Sequence, residues 1–423
     1  MNRRNTSKLL TIILVGASVL NAPANGFRLA SQDGFATGRG EAFAATADNA
    51  SAIYYNPAGI TQVPGTSLRS GLYTIYLDPT FQPPATAPNA GATYNIGKHW
   101  NFIPQMFLTH SFENSPVSVG LGIYAPYGGN IDWPQGTGFR TVATEGSLKY
   151  LRINPVFALK LAPNLSIGGG VMVDYGKIDL ESGLRPLPQP ANFYRFKGDG
   201  WSAGYNLGVL WQPFEQVSLG GTFRSETPFT MSGETEFEQL SAGIPYTTLP
   251  AHADFTFPLT AVVGLSYRPT PKWNLEFDAD YTDWGSFGTV TIYQQGTPPP
   301  GGAQNPPVTL NWEPSWMYEF GVTRYFDHGW HVSAGYVYNE TSVPDAYYTP
   351  LAADLDRHFF SVGAGRKGKR FDFDVTYQFG YGPAHTVSGS TPSSIAGLIA
   401  GQTADGKYDF ISHAVLVTIG MHF

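Results

Sequence analysis

No cysteine occurs in the 423 residues, which excludes a disulfide framework, a thiolate nucleophile and any cysteine-based metal site. Charge is scarce as well: Asp, Glu, Lys and Arg make up 13% of the chain, where a soluble globular protein carries about 25%. Basic residues are outnumbered, and a formal net charge of -7 leaves no basic face for nucleic acid. Long apolar runs are also missing. The stretch from Leu9 to Leu20 is too short for the roughly twenty residues that a membrane-spanning helix needs, and no later stretch exceeds it. A membrane protein of this composition crosses the bilayer with strands.

The N-terminal run has a different use. Arg3, Arg4 and Lys8 precede it and Ala22-Pro23-Ala24 follows it, the pattern of a secretory signal, so residues 1–24 are set aside from the fold.

What the chain has in abundance is aromatic residues, 14%, and glycine, 49 residues. From Thr66 to Phe423 it repeats runs of about ten residues that alternate apolar and polar. In one run Trp273, Leu275, Phe277, Ala279 and Tyr281 share a parity against Asn274, Glu276, Asp278, Asp280 and Thr282. In another, Phe371, Phe373, Val375, Tyr377, Phe379 and Tyr381 oppose Asp372, Asp374, Thr376, Gln378 and Gly380. Successive side chains on a strand face opposite sides, so each run has one greasy and one wet face. Trp201, Trp211, Trp273, Trp284 and Trp330 sit at run ends, as girdles at two lipid interfaces require. A large soluble β-protein is the alternative, but its alternation carries no such girdles.

Links between runs alternate in length. Short ones (113–116, 162–164, 212–216, 269–272, 326–329, 368–370) separate long ones such as 78–101, 126–148, 294–311 and 382–409. Short periplasmic turns and long outer loops are expected of a transmembrane barrel. The expected fold is all-β: an antiparallel transmembrane barrel of about fourteen strands over residues 66–423, both ends of its wall periplasmic. The Pro-rich pieces, Pro186, Pro188 and Pro190 and Pro298-Pro299-Pro300, fall in loops, since proline cannot donate to a strand ladder. The final strand, Ile411 to Phe423, ends the chain on a phenylalanine, as strands presented to the barrel assembly machinery do.

Residues 25–65 do not alternate. A barrel of about fourteen strands has a lumen wider than its side chains fill, so this segment is expected as a plug; a periplasmic tail is the alternative. Here the chain resembles the FadL/TodX family of outer-membrane hydrophobic-compound transporters. Gly26-Phe27, Gly34-Phe35-Ala36-Thr37-Gly38-Arg39-Gly40-Glu41-Ala42, Ala47-Asp48-Asn49-Ala50-Ser51-Ala52 and Asn56-Pro57-Ala58-Gly59 look like its N-terminal hatch. Similar landmarks follow at Ile123 to Gly128, Gly200 to Asn206, Arg224-Ser225-Glu226, Tyr281 to Trp284 and Asp354 to Arg357. The resemblance spans the whole mature chain. It implies capture at the outer loops, an internal apolar pocket and sideways exit beside a kinked third strand. Long-chain fatty acids are the first expected cargo and aromatic hydrocarbons the second; a general porin or an outer-membrane lipase is less expected.

The third run, Val117 to Ala125, contains Gly120 and Gly122 and meets Pro126, residues that weaken or kink a strand and mark the expected gap; ordinary barrel curvature is the other explanation. Arg152, Arg224 and Arg357 take the polar parity with Glu226, Glu276, Asp278, Asp280, Glu319, Asp372 and Asp374. Most such charges will pair with one another, and one of the three arginines is the candidate to hold a ligand carboxylate. No catalytic or metal constellation and no cofactor motif stands out. Ser412 and His413 are neighbours on a strand and face opposite ways, and the nine histidines lack ligand spacing.

Overall fold

The computed structural model describes residues 26–188, 192–298, 303–397 and 401–423. The expected signal 1–24, Asn25, Pro190, Pro299 and Pro300 lie outside the described residues.

Fourteen antiparallel strands close into one barrel. They are β1 Gly65–Gln82, β2 Trp100–Ser111, β3 Val117–Tyr124 resuming at Gly129–Asp132, β4 Glu145–Ala162, β5 Leu165–Ser182 and β6 Asn192–Phe214. Next come β7 Val217–Arg224 resuming at Thr227–Gln239, β8 Ile244–Phe257 resuming at Thr260–Thr270, and β9 Trp273–Thr282. The wall ends with β10 Ser315–Tyr325, β11 Trp330–Asn339, β12 Arg357–Lys367, β13 Phe371–Val387 and β14 Gly406–His422. Closure is by β14 on β1, with Ser67 opposite His422 and Gln82 opposite Lys407. The ladder begins one residue before the expected Thr66, and several strands extend into what the sequence presents as loop.

Alternation carries through to burial. In β13 Phe371, Phe373, Val375 and Tyr377 are exposed to the lipid side, while Asp372, Asp374, Thr376 and Gln378 are buried. Trp201, Trp211, Trp273 and Trp330 are exposed as girdle residues should be, but Trp284 is fully buried. The cause is local: β9 ends at Thr282 and the short 3-10 turn Trp284–Ser286 folds that ring inward onto Phe287 and Trp312. Glu226 is a second correction. Arg224 and Thr227 both point inward although three residues apart, so Ser225 and Glu226 form an interruption at which the inward parity changes, and Glu226 is exposed instead of lumenal.

The inner face is polar only over part of its height. Ser67 and Arg69 of β1 are buried near its start, and Tyr73, Ile75, Leu77 and Phe81 are buried farther along. Tyr150, Ile178, Phe196, Phe229 and Met231 continue that apolar inner band around the wall. A single polar parity does not describe the upper lumen, because the inner face there is apolar.

Candidate functional site

Residues 26–64 are almost all buried, and their short helices contact strands from both halves of the wall. The helix α1 (Gly34–Gly38) is capped by Asp33, whose carboxylate accepts from the amides of Phe35 at 3.0 Å and Ala36 at 3.3 Å. Asp33 also pairs with Arg69 of β1, which reaches Asp374 of β13 at 2.5 Å; Asp374 meets His331 of β11 at 2.7 Å. Arg39 pairs with Glu276 of β9 at 3.0 Å, both fully buried. The same carboxylate accepts from the amides of Ala45 at 2.7 Å and Thr46 at 3.1 Å. Asp278 takes the amides of Phe43 at 2.9 Å and Ala44 at 2.7 Å. Buried carboxylates of β9 thus satisfy backbone donors that have no ladder of their own.

The Asn56-Pro57-Ala58-Gly59 stretch follows the short helix α2 (Ala52–Tyr55) and opens a 3-10 turn. Asn56 accepts from the Ala58 amide at 3.2 Å and donates to the carbonyls of Ala44 at 2.8 Å and Val209 at 2.9 Å. Gly59 is forced: a Cβ there would lie 2.3 Å from the Ala47 carbonyl oxygen. Gly26 has φ +63, and its Cβ would lie 2.6 Å from the Trp284 ring and 2.7 Å from that of Trp312. The two rings therefore receive Gly26 and Phe27 closely, with Phe27 and Trp312 centroids 5.4 Å apart.

Glu41 is buried and accepts from Ser31 and Tyr55, each at 2.8 Å. Burial pushes its carboxyl up from 4.5 to about 7; the hydroxyls of Tyr55, Ser31 and Thr37 oppose the rise and Asp33 adds to it. The facing charges are Arg28, Arg224, Asp278, Asp280 and Glu319. Once released into water Glu41 titrates near 4.5, so between that value and about 7 only the seated segment holds the proton. Its favourable contribution to seating is complete below pH 4.5 and is lost as pH rises through about 7. Limited proteolysis of residues 26–64 in the folded barrel should be faster at pH 8 than at pH 5, and Glu41→Gln should remove most of that difference. Equal pH dependence in the variant would contradict the assignment.

The wall is interrupted at β3. Tyr124 pairs with Arg152 and Gly129 with Leu148, so four residues, 125–128, stand opposite three, 149–151, and leave the ladder. On the other side β3 meets β2 from Met106 to Ser111, and Trp100 to Gln105 have no β3 partner. Residues 125–128 turn inward and bond to the N-terminal segment instead. The Leu29 amide donates to the Pro126 carbonyl at 2.8 Å and the Gly128 amide to the Phe27 carbonyl at 2.8 Å, flanking the bridge between Arg28 and Tyr127. Arg28 in turn pairs with Asp280 and donates to Thr282 at 2.8 Å.

Pro126 lies within the interruption. Gly120 and Gly122 precede it and are paired on both sides, Gly120 with Thr109 and Val156, Gly122 with Phe107 and Asn154. The glycines themselves do not interrupt the ladder. What their missing side chains admit is Ile53 of α2, whose side chain would lie 2.8 Å and 2.9 Å from their Cβ atoms.

Directly inside the interruption is a cavity bounded by Gly129 and Leu148 at the break and by Phe27, Ile178, Phe257 and Trp312. Among the described residues, no charged side chain lines it. The three candidate arginines are not brought together. Arg152 makes a bidentate pair with Asp174 at 2.7 Å for each bond. Arg224 donates to the Tyr54 carbonyl and, at 3.2 Å, to Thr260, and faces a small cavity with Arg28 and Glu41. Arg357 donates to the Ala353 carbonyl at 3.0 Å and lies 3.8 Å over the Phe410 ring. Sequence reasoning missed Arg28, Arg39 and Arg69 as anchors. The first two lie in a segment without periodicity, and Arg69 sits on a parity that soon becomes apolar. Ser412 is buried and His413 is exposed and bonded to Tyr377 at 2.7 Å, so they form no dyad.

Residues 15–423 match the family described as Outer membrane protein transport protein (OMPP1/FadL/TodX). The chain is 23% identical over 397 residues to the "Long-chain fatty acid transport protein" of Escherichia coli O6:H1, covering 81% of this chain and 85% of that protein. It is 23% identical over 412 residues to a putative outer membrane protein of Neisseria meningitidis serogroup B, covering 87% and 88%. A crystal structure of a Pseudomonas aeruginosa FadL homologue superposes with TM-score 0.81 at 18% identity, covering 94% and 100% of the two chains. The Pseudomonas putida toluene transporter TodX superposes with TM-score 0.70 at 14% identity, covering 94% and 99%. A closed fourteen-stranded barrel, lipid-facing girdles and a family match over nearly the whole sequence make this chain a member of the OMPP1/FadL/TodX family of outer-membrane transport proteins.

Proposed function

We propose that the protein carries long-chain fatty acids across the outer membrane without catalysing a reaction. In this proposal residues 26–64 are a hatch that closes the axial path, and the cargo leaves sideways at the break in β3. The observation that carries it is the apolar cavity set against the one stretch where β4 residues 149–151 lose their β3 partners. Keeping an acyl tail out of water is worth roughly 0.8 kcal/mol per CH₂, on the order of 10 kcal/mol for a long chain. Release into a bilayer avoids that cost, and release into the aqueous periplasm incurs it.

The named relatives support the cargo class, fatty acids in Escherichia coli and toluene in Pseudomonas putida. One observation favours an uncharged hydrocarbon as the second reading: among the described residues, the cavity at the break offers no cation to a carboxylate. For a fatty acid we place the carboxylate at Arg224, whose Nε is buried without a partner beside the cavity it shares with Arg28. Arg152 is saturated by Asp174.

Mass spectrometry of compounds retained by the purified protein after exposure to equal amounts of oleate and toluene is the test. Oleate should be retained, and Arg224→Gln should lower its retention several-fold while leaving toluene unchanged. Retention of toluene alone would make hydrocarbon uptake the function.

A further inference from the structure

Leu148 and Ile178 face the cavity, so pleat alternation turns Lys149 of β4 and Lys177 of β5 to the membrane side. The register sets these two lysines directly opposite each other, and sets Lys177 opposite Asp199 of β6. Like charges opposite each other in a sheet destabilise it, and nearby cations avoid the problem by pairing. Arg195 meets Asp179 at 2.5 Å and Lys197 meets Glu236 at 2.7 Å. Among the described residues, neither Lys149 nor Lys177 has a carboxylate oxygen within 4.0 Å. Asp199, the one acid in register with them, stands beside the Tyr175 hydroxyl.

Position gives the unpaired charge a use. Tyr175 and Trp201, with ring centroids 5.1 Å apart and Trp201 63% exposed, form the aromatic belt one residue pair below Lys177 and Asp199. The ammonium groups therefore stand at the level of lipid headgroups. Lys149 is also one of the three β4 residues that β3 has abandoned, so it stands on the lip of the gap, with the cavity-lining Leu148 next to it on the inner face.

We propose that Lys149 and Lys177 form a site for an anionic headgroup on the membrane side of the gap. The site holds the carboxylate of a departing fatty acid, or a phosphate of an outer-leaflet lipid, at the interface while apolar chains occupy the bilayer beside the opening. The carboxylate version rests on the lateral-exit proposal; the phosphate version does not.

The full-length protein in vesicles of a galactolipid without phosphate should transfer both oleate and oleyl alcohol, which share a chain and differ in charge. In Lys149→Gln/Lys177→Gln, oleate transfer should fall several-fold, oleyl alcohol should keep its wild-type rate, and Lys149→Arg/Lys177→Arg should restore oleate. That result identifies the carboxylate. Unchanged oleate transfer with loss of phosphorylated lipid from the variant purified out of outer membranes identifies the phosphate. If both cargoes slow together the substitutions have damaged the gap, and if neither transfer nor retained lipid changes there is no site; either result overturns the proposal. Oleyl alcohol transfer reports separately on the route: survival of that transfer when β3 is made continuous sinks lateral exit and leaves lipid retention to decide the site.

Discussion

Replacing Gly335 with alanine is expected to leave a folded barrel whose N-terminal segment no longer seats, so that planar bilayers show large conductance steps where the wild-type protein is nearly closed. Gly335 of β11 faces the segment, and a Cβ there would lie 1.9 Å from the Gly40 amide nitrogen and 2.2 Å from the Arg39 carbonyl carbon. Both obstacles are backbone, so neither can rotate away. In the wall the residue pairs regularly with Gly321 and Ser361, and a β-strand ladder accepts alanine there. Extra methyl groups in well-packed interiors typically cost about 1–3 kcal/mol where neighbouring side chains can yield, and a Cβ 1.9 Å from a backbone nitrogen meets nothing that can yield, so its cost exceeds that range. Here relief requires lifting residues 39–46, which breaks the Arg39–Glu276 pair and the amide bonds to Glu276 and Asp278. Breaking a buried pair costs about 3–5 kcal/mol by removal of one partner, so once displaced the segment leaves two buried carboxylates that water will enter to solvate. Gly220→Ala should act alike, since its Cβ would lie 2.0 Å from the Ala44 carbonyl oxygen. Gly221, which meets only a Val209 methyl at 3.2 Å, is the control that should stay closed. A folded Gly335→Ala barrel with wild-type conductance and a protease-resistant N-terminal segment would show that the segment does not close the lumen.

The wall was legible in the sequence because lipid on one side imposes a period of two that local composition reveals directly. Trp273 to Thr282 and Phe371 to Tyr381 show it residue by residue. The short turns were legible for the same reason. The cavity was not. Its lining comes from wall strands, from Phe27 and from loop residues such as Trp312 and Ile395, and only the closed tertiary structure brings those together. Trp284 shows the limit most plainly: the chain leaves the strand after Thr282, and a girdle tryptophan by sequence position becomes a buried contact of Gly26. Gly120 and Gly122 were correctly placed in the third strand, but the residues that open the wall begin at Ala125, where a four-against-three mismatch in register has no signature within the strand itself. The arginines were found on the inner face, yet which of them are neutralised depends on partners such as Asp174, distant enough in sequence that parity alone cannot assign them.

The second large effect follows from that mismatch. Deleting Gly128 and replacing Ala125-Pro126-Tyr127 with Thr-Val-Thr leaves three residues to face 149–151, restores amide donors that proline lacks, and brings the stretches ending at Tyr124 and starting at Gly129 into one register on β4. The inward excursion that meets Phe27 and Leu29 disappears, and the wall beside the apolar cavity becomes continuous. Oleate transfer by this variant, inserted and folded in vesicles at wild-type density, decides whether cargo leaves at the break in β3. Transfer should fall to the level of protein-free vesicles while the N-terminal segment stays seated and conductance stays low. Transfer at the wild-type rate through a barrel whose β3 is shown to be continuous would contradict sideways exit and place the path along the axis.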